Sequence, residues 1–212
     1  ADIVGFTSLS EHQPARAVTE LLNEVFQVLT EEVFEHGGTL DKFIGDAIMV
    51  FFGAPLAQPD HAVRAVRTGL AMQQRIGDYN AKNPERPPIG LRIGINTGHM
   101  LVGNIGSSRR FNYTVMGDAV NLASRLEGVN KEFATPILIS DSTRAQLGDA
   151  IVCRQIDTVR VVGRTEPVTV FEPLCAAVAA TPDLTRGGED YARALADYRA
   201  GRLDEAGRGF GA

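Results

Sequence analysis

Val18, Leu21, Leu22, Val25, Leu29 and Val33 recur at three- and four-residue intervals after Pro14, and Gly37-Gly38 ends the run. That spacing predicts an amphipathic helix of about five to six turns. Two short apolar runs follow, Leu40 to Ile44 and Ala47 to Phe52, divided by Gly45-Asp46. Gly accepts positive φ and Asp bonds its own backbone, so these runs predict a β-hairpin with a carboxylate at its tip. Asp60 is placed to cap a second helix with Val63, Val66, Leu70 and Ile76 on one side, closed by Asn83-Pro84 and Pro87-Pro88. Leu91 to Asn96 alternates as a strand, and Met100 to Ile105 reads as its neighbour across Thr97-Gly98. A strand near Tyr113 to Val115 leads through Gly117 into a helix over about Asp118 to Gly128. Ile137-Leu138-Ile139 is a short buried strand, Ser140-Asp141-Ser142 starts a short helix, and Val159 to Phe171 reads as a hairpin around Gly163-Arg164. At the start, Asp2-Ile3 ends a strand and Val4-Gly5-Phe6-Thr7 turns away from it.

The order strand, helix, hairpin, helix, strand predicts an α+β, ferredoxin-like (split βαβ) fold with additional C-terminal strands and helices. In that topology the first strand lies antiparallel beside the second hairpin strand, which brings Asp2 and Asp46 to one edge of the sheet. This domain spans residues 1–175. Residues 176–190 read as a linker, which opens with a patternless run of small residues from about Ala176 to Pro182. In 191–212 the positions Tyr191, Leu195, Tyr198, Gly201, Ala206 and Phe210 resemble the start of a tetratricopeptide helix pair, a possible protein-binding repeat, or form a plain amphipathic helix.

A net charge of -5 over 212 residues argues against nucleic-acid binding, although Arg109-Arg110 can receive a phosphate. Cys153 and Cys175 are too few for a disulfide framework and lack metal-ligand spacing, which points to a reducing, cytoplasmic setting. No apolar run reaches the ~20 residues of a membrane helix. The chain starts without Met and on a candidate ligand, so it reads as a piece of a longer one with a truncated first strand, and a membrane anchor elsewhere stays open.

Two carboxylates brought to about 4 Å repel by about 1 kcal/mol in water and about 4 kcal/mol at an effective dielectric of 20. A divalent cation removes that cost. With the Ile3 carbonyl as a natural third oxygen, Asp2 and Asp46 favour Mg²⁺ or Mn²⁺ held jointly with substrate phosphates. Taken singly, each is a strand-end or turn aspartate. Asn121 and Arg125, four apart on a helix, are by themselves an exposed polar pair.

Three stretches in order change that balance: Ala1-Asp2-Ile3-Val4-Gly5-Phe6-Thr7, the hairpin from Gly37-Gly38 through Asp41-Lys42-Phe43-Ile44-Gly45-Asp46 to Gly53, and Phe111 to Glu127 with Gly117-Asp118-Ala119-Val120-Asn121-Leu122-Ala123-Ser124-Arg125. Together they resemble the class III nucleotidyl cyclase catalytic domain. The resemblance implies conversion of ATP to 3′,5′-cyclic AMP and pyrophosphate with two Mg²⁺ or Mn²⁺ ions bound by Asp2, Ile3 and Asp46. It assigns Asn121 to ribose positioning, Arg125 to charge stabilisation in the transition state, and Arg109 and Arg164 to the triphosphate. Arg164 stands where Lys is common, and Val162 occupies another position that is often Lys.

In such domains the site lies between two head-to-tail subunits of a homodimer, with the metal aspartates from one and Lys42, Thr114, Asn121 and Arg125 from the other. Lys42 only donates, which suits adenine N1 and mismatches the N1–H of guanine. It stands where guanylyl cyclases place a Glu. Thr114 occupies a position where most adenylyl cyclases have Asp; its hydroxyl accepts from the 6-amino group but also rotates to donate. Lys plus Thr resembles the subclass that includes soluble, bicarbonate-responsive adenylyl cyclases. The rival readings are a guanylyl cyclase and a non-catalytic nucleotide-sensing or dimerising domain.

Overall fold

The computed structural model of the chain describes residues 1–11, 13–107, 109–161 and 166–210. A two-residue strand, β1 (Asp2–Ile3), leads past Gly5, at φ 68°, into a short helix, α1 (Phe6–Glu11), where only a turn was expected. The periodic run forms α2 (Ala15–Glu35), which buries Val25, Leu29 and Val33. It stops where Gly37 takes a φ of 74°, and a Cβ on Gly38 would meet the Phe52 ring at 2.8 Å. Only glycines fit that exit. The hairpin follows as β2 (Thr39–Ile44) and β3 (Ala47–Phe51), Ile44 opposite Ala47, with Gly45 at φ 62° in the turn. Its register shifts between Leu40 and Lys42, a bulge at Asp41.

The second helix is α3 (His61–Lys82), burying Val66, Met72 and Ile76. Asp60 precedes it, but its carboxylate caps no backbone N–H; it accepts from Arg64 Nε at 2.7 Å instead. A guanidinium one turn on offers a charge-assisted bond that a backbone amide does not match.

Next come β4 (Leu91–Ile95), β5 (Leu101–Ser107), β6 (Arg110–Met116), α4 (Asp118–Phe133), β7 (Ile137–Ser140), α5 (Asp141–Arg144), β8 (Ile151–Val159) and β9 (Val168–Ala176). The turn between β8 and β9, read from the sequence around Gly163-Arg164, lies outside the described residues. Five strands form one mixed sheet in the order β1-β4-β7-β9-β8. The β2–β3 hairpin continues it beyond β1: Ala1 N donates to Ile48 O at 2.9 Å, and Ile48 N to Ala1 O at 2.8 Å. The first strand thus lies antiparallel beside the second hairpin strand, as the split βαβ order requires.

β5 is not the neighbour of β4. The edges of β4 are taken by β1 and β7, so β5 pairs with β6 in a separate two-stranded arm, from Leu101 opposite Met116 to Ser107 opposite Arg110. α4 also runs past Gly128, carried on by Asn130, whose buried Nδ2 donates to Ile93 O at 3.0 Å.

All four residues of β7 are buried because both sheet faces are covered: Ile137 and Ile139 join the core under α2 and α3, and Leu138 joins Leu122 and Leu126 of α4. α4 approaches β4 so closely that a Cβ on Gly94 would lie 2.1 Å from Ala123 O and 2.3 Å from Glu127 N. Gly94→Ala is expected to push helix and strand apart and cost about 3 kcal/mol, read as a lower urea midpoint. An unchanged midpoint would mean the helix shifts without cost.

The stretch read as a linker is helical from Pro182: after a 3-10 turn (Ala177–Ala179), Thr181 Oγ1 accepts from Leu184 N at 3.3 Å and starts α6 (Pro182–Arg199). The apolar spacing begins only at Tyr191, so the first turns carry no periodic signal. α7 (Leu203–Phe210) folds back on α6, with the Tyr191 and Phe210 rings 5.2 Å apart. Tyr191 also packs on the domain, under the Arg154 guanidinium at 4.7 Å. Among the described residues no helix is long and apolar enough to cross a membrane.

Candidate active site

The reciprocal Ala1–Ile48 bonds put the end of β1 beside the hairpin turn, and Asp2 and Asp46 stand on either side of that junction. Their carboxylates feel one another. Burial pushes the Asp46 pKa above its ordinary value, the charge of Asp2 adds to the rise, and a backbone hydrogen bond and Arg92 oppose it. Arg92, opposite Asp2 in the β1–β4 register, donates from Nη2 to Asp2 Oδ2 at 3.1 Å and from Nε to Glu127 Oε1 at 2.8 Å. The Ile3 side chain is buried in the core, which leaves its main chain as what it can offer a ligand.

Among the described residues no group of three or more His, Cys, Asp or Glu is arranged to hold a metal. Two converging carboxylates and a carbonyl fit a hard divalent cation that completes its shell with substrate oxygens. A cleft of about 510 Å³ opens beside this pair, lined by Asp2, Ala47, Gly94, Ala123, Ser124 and Glu127.

A second group forms where β2 meets β6. Lys42 Nζ donates to Thr114 Oγ1 at 3.2 Å, and Thr114 Oγ1 in turn bonds Asp41 Oδ2. Lys42 Nζ also lies 3.2 Å from Asp41 Oδ1, and the Asp41 side chain is 0% exposed.

Asn121 is exposed and Arg125 half-buried on α4. At 100° per residue they project from a different side of the helix than Ala119, Ala123 and Glu127 of the cleft lining, with Ser124 between the two sides. Among the described residues Arg125 Nη1 is buried without a hydrogen-bond partner, with Asp118 Oδ1 4.0 Å away. Neither residue bonds Asp2, Asp46, Lys42 or Thr114 among the described residues. Arg109 is exposed in the turn between β5 and β6, and Arg164 lies outside the described residues. The structure therefore joins Asp2 with Asp46, and Lys42 with Thr114, within one chain. It does not join the two groups.

The family described as "Adenylate and Guanylate cyclase catalytic domain" matches residues 1–172. This chain belongs to that family. Adenylate cyclase 1 of Rhizobium meliloti (strain 1021) is 38% identical over 173 residues, covering 81% of this chain and 26% of its own length. The adenylate cyclase of Anabaena cylindrica is 34% identical over 180 residues, 81% of this chain and 35% of its own length. The chain thus spans about a quarter to a third of the length of these two relatives. Among solved structures, the adenylyl cyclase CyaB from P. aeruginosa is similar with a TM-score of 0.77 and 39% identity, over 86% of this chain and 93% of that one. The guanylyl cyclase Cya2 has a TM-score of 0.75 and 38% identity, over 85% and 90%.

Three residues that the fold brings to the candidate site escape a reading of the sequence. Arg92 and Glu127 emerge only from the β1–β4 register and the close α4–β4 approach, both long-range. Asp41 looks like any residue of an alternating strand until the bulge turns it toward Lys42.

Proposed function

We propose that this domain cyclises ATP to 3′,5′-cyclic AMP and pyrophosphate as a head-to-tail homodimer, using two Mg²⁺ or Mn²⁺ ions per site. The observation that carries the choice of base is the 3.2 Å contact of Lys42 Nζ with Thr114 Oγ1, which sets an obligate donor beside an oxygen acceptor. Adenine N1 accepts and its 6-amino group donates, so the pair is complementary to that edge. Overall likeness does not choose, since an adenylyl and a guanylyl cyclase match almost equally.

Asp2, Asp46 and the Ile3 carbonyl would hold the ions; bound there, they supply Lewis acidity toward the ribose 3′-hydroxyl and neutralise charge on the departing pyrophosphate. Asn121 orients the ribose so that its 3′-oxygen faces the α-phosphorus. Arg125 meets the negative charge that develops on the α-phosphoryl oxygens as the bond to pyrophosphate breaks. Arg109 and Arg164 hold the β- and γ-phosphates.

A shared site is supported by the projection of Asn121 and Arg125 away from the cleft beside Asp2. It is also supported by the apolar surface on and near the β5–β6 arm, where Leu101 is 68% and Phe111 61% exposed and Met116, Phe43 and Ile44 are exposed as well. A second copy would cover them. A cytoplasmic setting suits the free thiols of Cys153 and Cys175.

The test is cyclic nucleotide formation from ATP and from GTP by the wild type and by Lys42→Glu/Thr114→Cys. The wild type is expected to favour ATP in kcat/KM by at least about tenfold and the double variant to shift toward GTP, because a donor that bound substrate would set against another donor is rejected. Preference of the wild type for GTP would make it a guanylyl cyclase.

A further inference from the structure

Asp41 has no part in the reading above, yet its carboxylate is fully buried against the two residues assigned to the base. Successive strand residues point to opposite faces, so Asp41 and Lys42 would ordinarily diverge. The register shift between Leu40 and Lys42 removes that alternation, and both side chains reach Thr114 on β6.

We propose that Asp41 is a positioning residue that fixes the Thr114 hydroxyl as an acceptor and so sets the base preference of the site. The proposal rests on the reading that Lys42 and Thr114 contact the base. The hydroxyl of Thr114 has one proton and two lone pairs. Lys42 Nζ donates into one lone pair at 3.2 Å. Asp41 Oδ2 lies within hydrogen-bond reach and, as a carboxylate paired with the Lys42 ammonium, only accepts, so it takes the hydroxyl proton. What Oγ1 has left is a lone pair. That lone pair receives the 6-amino group of adenine and repels the O6 of guanine. A free threonine hydroxyl rotates to serve either; this one does not. Asp41 Oδ1 makes no hydrogen bond of its own among the described residues and meets only the Lys42 charge, which keeps the ammonium beside Thr114.

The experiment measures kcat/KM for ATP and GTP in the wild type, Asp41→Asn, Thr114→Val and the double variant. Asn is isosteric, but its amide nitrogen donates to Oγ1 and releases the hydroxyl proton toward the base. Asp41→Asn is expected to lower the ATP:GTP ratio about tenfold, the worth of one hydrogen bond between matched and mismatched partners. In the Thr114→Val background, with no hydroxyl to orient, the same change should leave the ratio within about twofold. A merely structural role for Asp41 would lower both substrates together and leave the ratio unmoved in either background, which overturns the proposal. Should Asp41→Asn not fold, proton NMR of the wild type decides: a slowly exchanging hydroxyl signal lost in Thr114→Val supports the bond to Asp41, and its absence rejects it. A wild type that uses GTP as well as ATP refutes the base reading itself. ATP preference with an unmoved ratio in Asp41→Asn refutes only the role of Asp41.

Discussion

Asp46→Asn is expected to lower turnover by about a thousandfold or more while raising the thermal midpoint of the metal-free protein at neutral pH. The loss follows from removing one of two carboxylates that would hold the ions, an effect of about 4 kcal/mol or more on the barrier. The gain in stability follows from electrostatics. Burial and then the Asp2 charge raise the folded-state pKa of Asp46 above its ordinary value. Between the unfolded and folded pKa the native state holds more protons than the unfolded one, so stability falls as pH rises through that window, and the full penalty is present above it. Asn carries no charge and accepts the same backbone hydrogen bond, so the penalty disappears and the turn is kept. Calorimetry across pH should show the midpoints of the two proteins converging as pH falls below the carboxylate range. Mn²⁺ should raise the midpoint of the wild type and leave Asp46→Asn almost unmoved. Near-normal activity of the variant would remove Asp46 from the site.

Most of what was legible in the sequence is local. The α2 stripe ending at Gly37-Gly38, the Gly45-Asp46 turn and the Ser140 start of α5 each depend on a few adjacent residues, and each stands where its pattern indicates. What was hidden depends on distant pairing. The partner of β5 is decided by which edges of β4 remain free, a property of the whole sheet rather than of Leu101 to Ser107. Arg92 becomes part of the site only because β1 pairs with β4 so that Asp2 faces it. Asp41 needs a bulge that alternation does not announce. The first turns of α6 were missed because Pro182 to Asp190 lack an apolar stripe and are held by a Thr181 cap instead. The pairing of Asp2 with Asp46 was accessible by another route: once the split βαβ order is recognised, topology brings the strand end to the hairpin turn.

Asp46→Ala and Asn121→Ala, each inactive alone, are expected to regain activity when mixed. In the proposed head-to-tail dimer each site would take its metal carboxylates from one subunit and its Asn121 and Arg125 from the other, so either homodimer would lose the same half of both sites. A mixed dimer gathers both lesions in one site and leaves the other whole. With random exchange half the dimers are mixed, each with one intact site of two, so activity should return to about a quarter of wild type. The expectation draws on the single chain, in which Asn121 and Arg125 project from a different side of α4 than Ala119, Ala123 and Glu127 in the cleft beside Asp2. The measurement is cyclic AMP formed from ATP by the two purified variants, separately and after mixing, with subunit exchange followed independently by mass. Recovery to about a quarter is the result that two-fold symmetry predicts. No recovery with exchange complete would contradict a site shared between subunits.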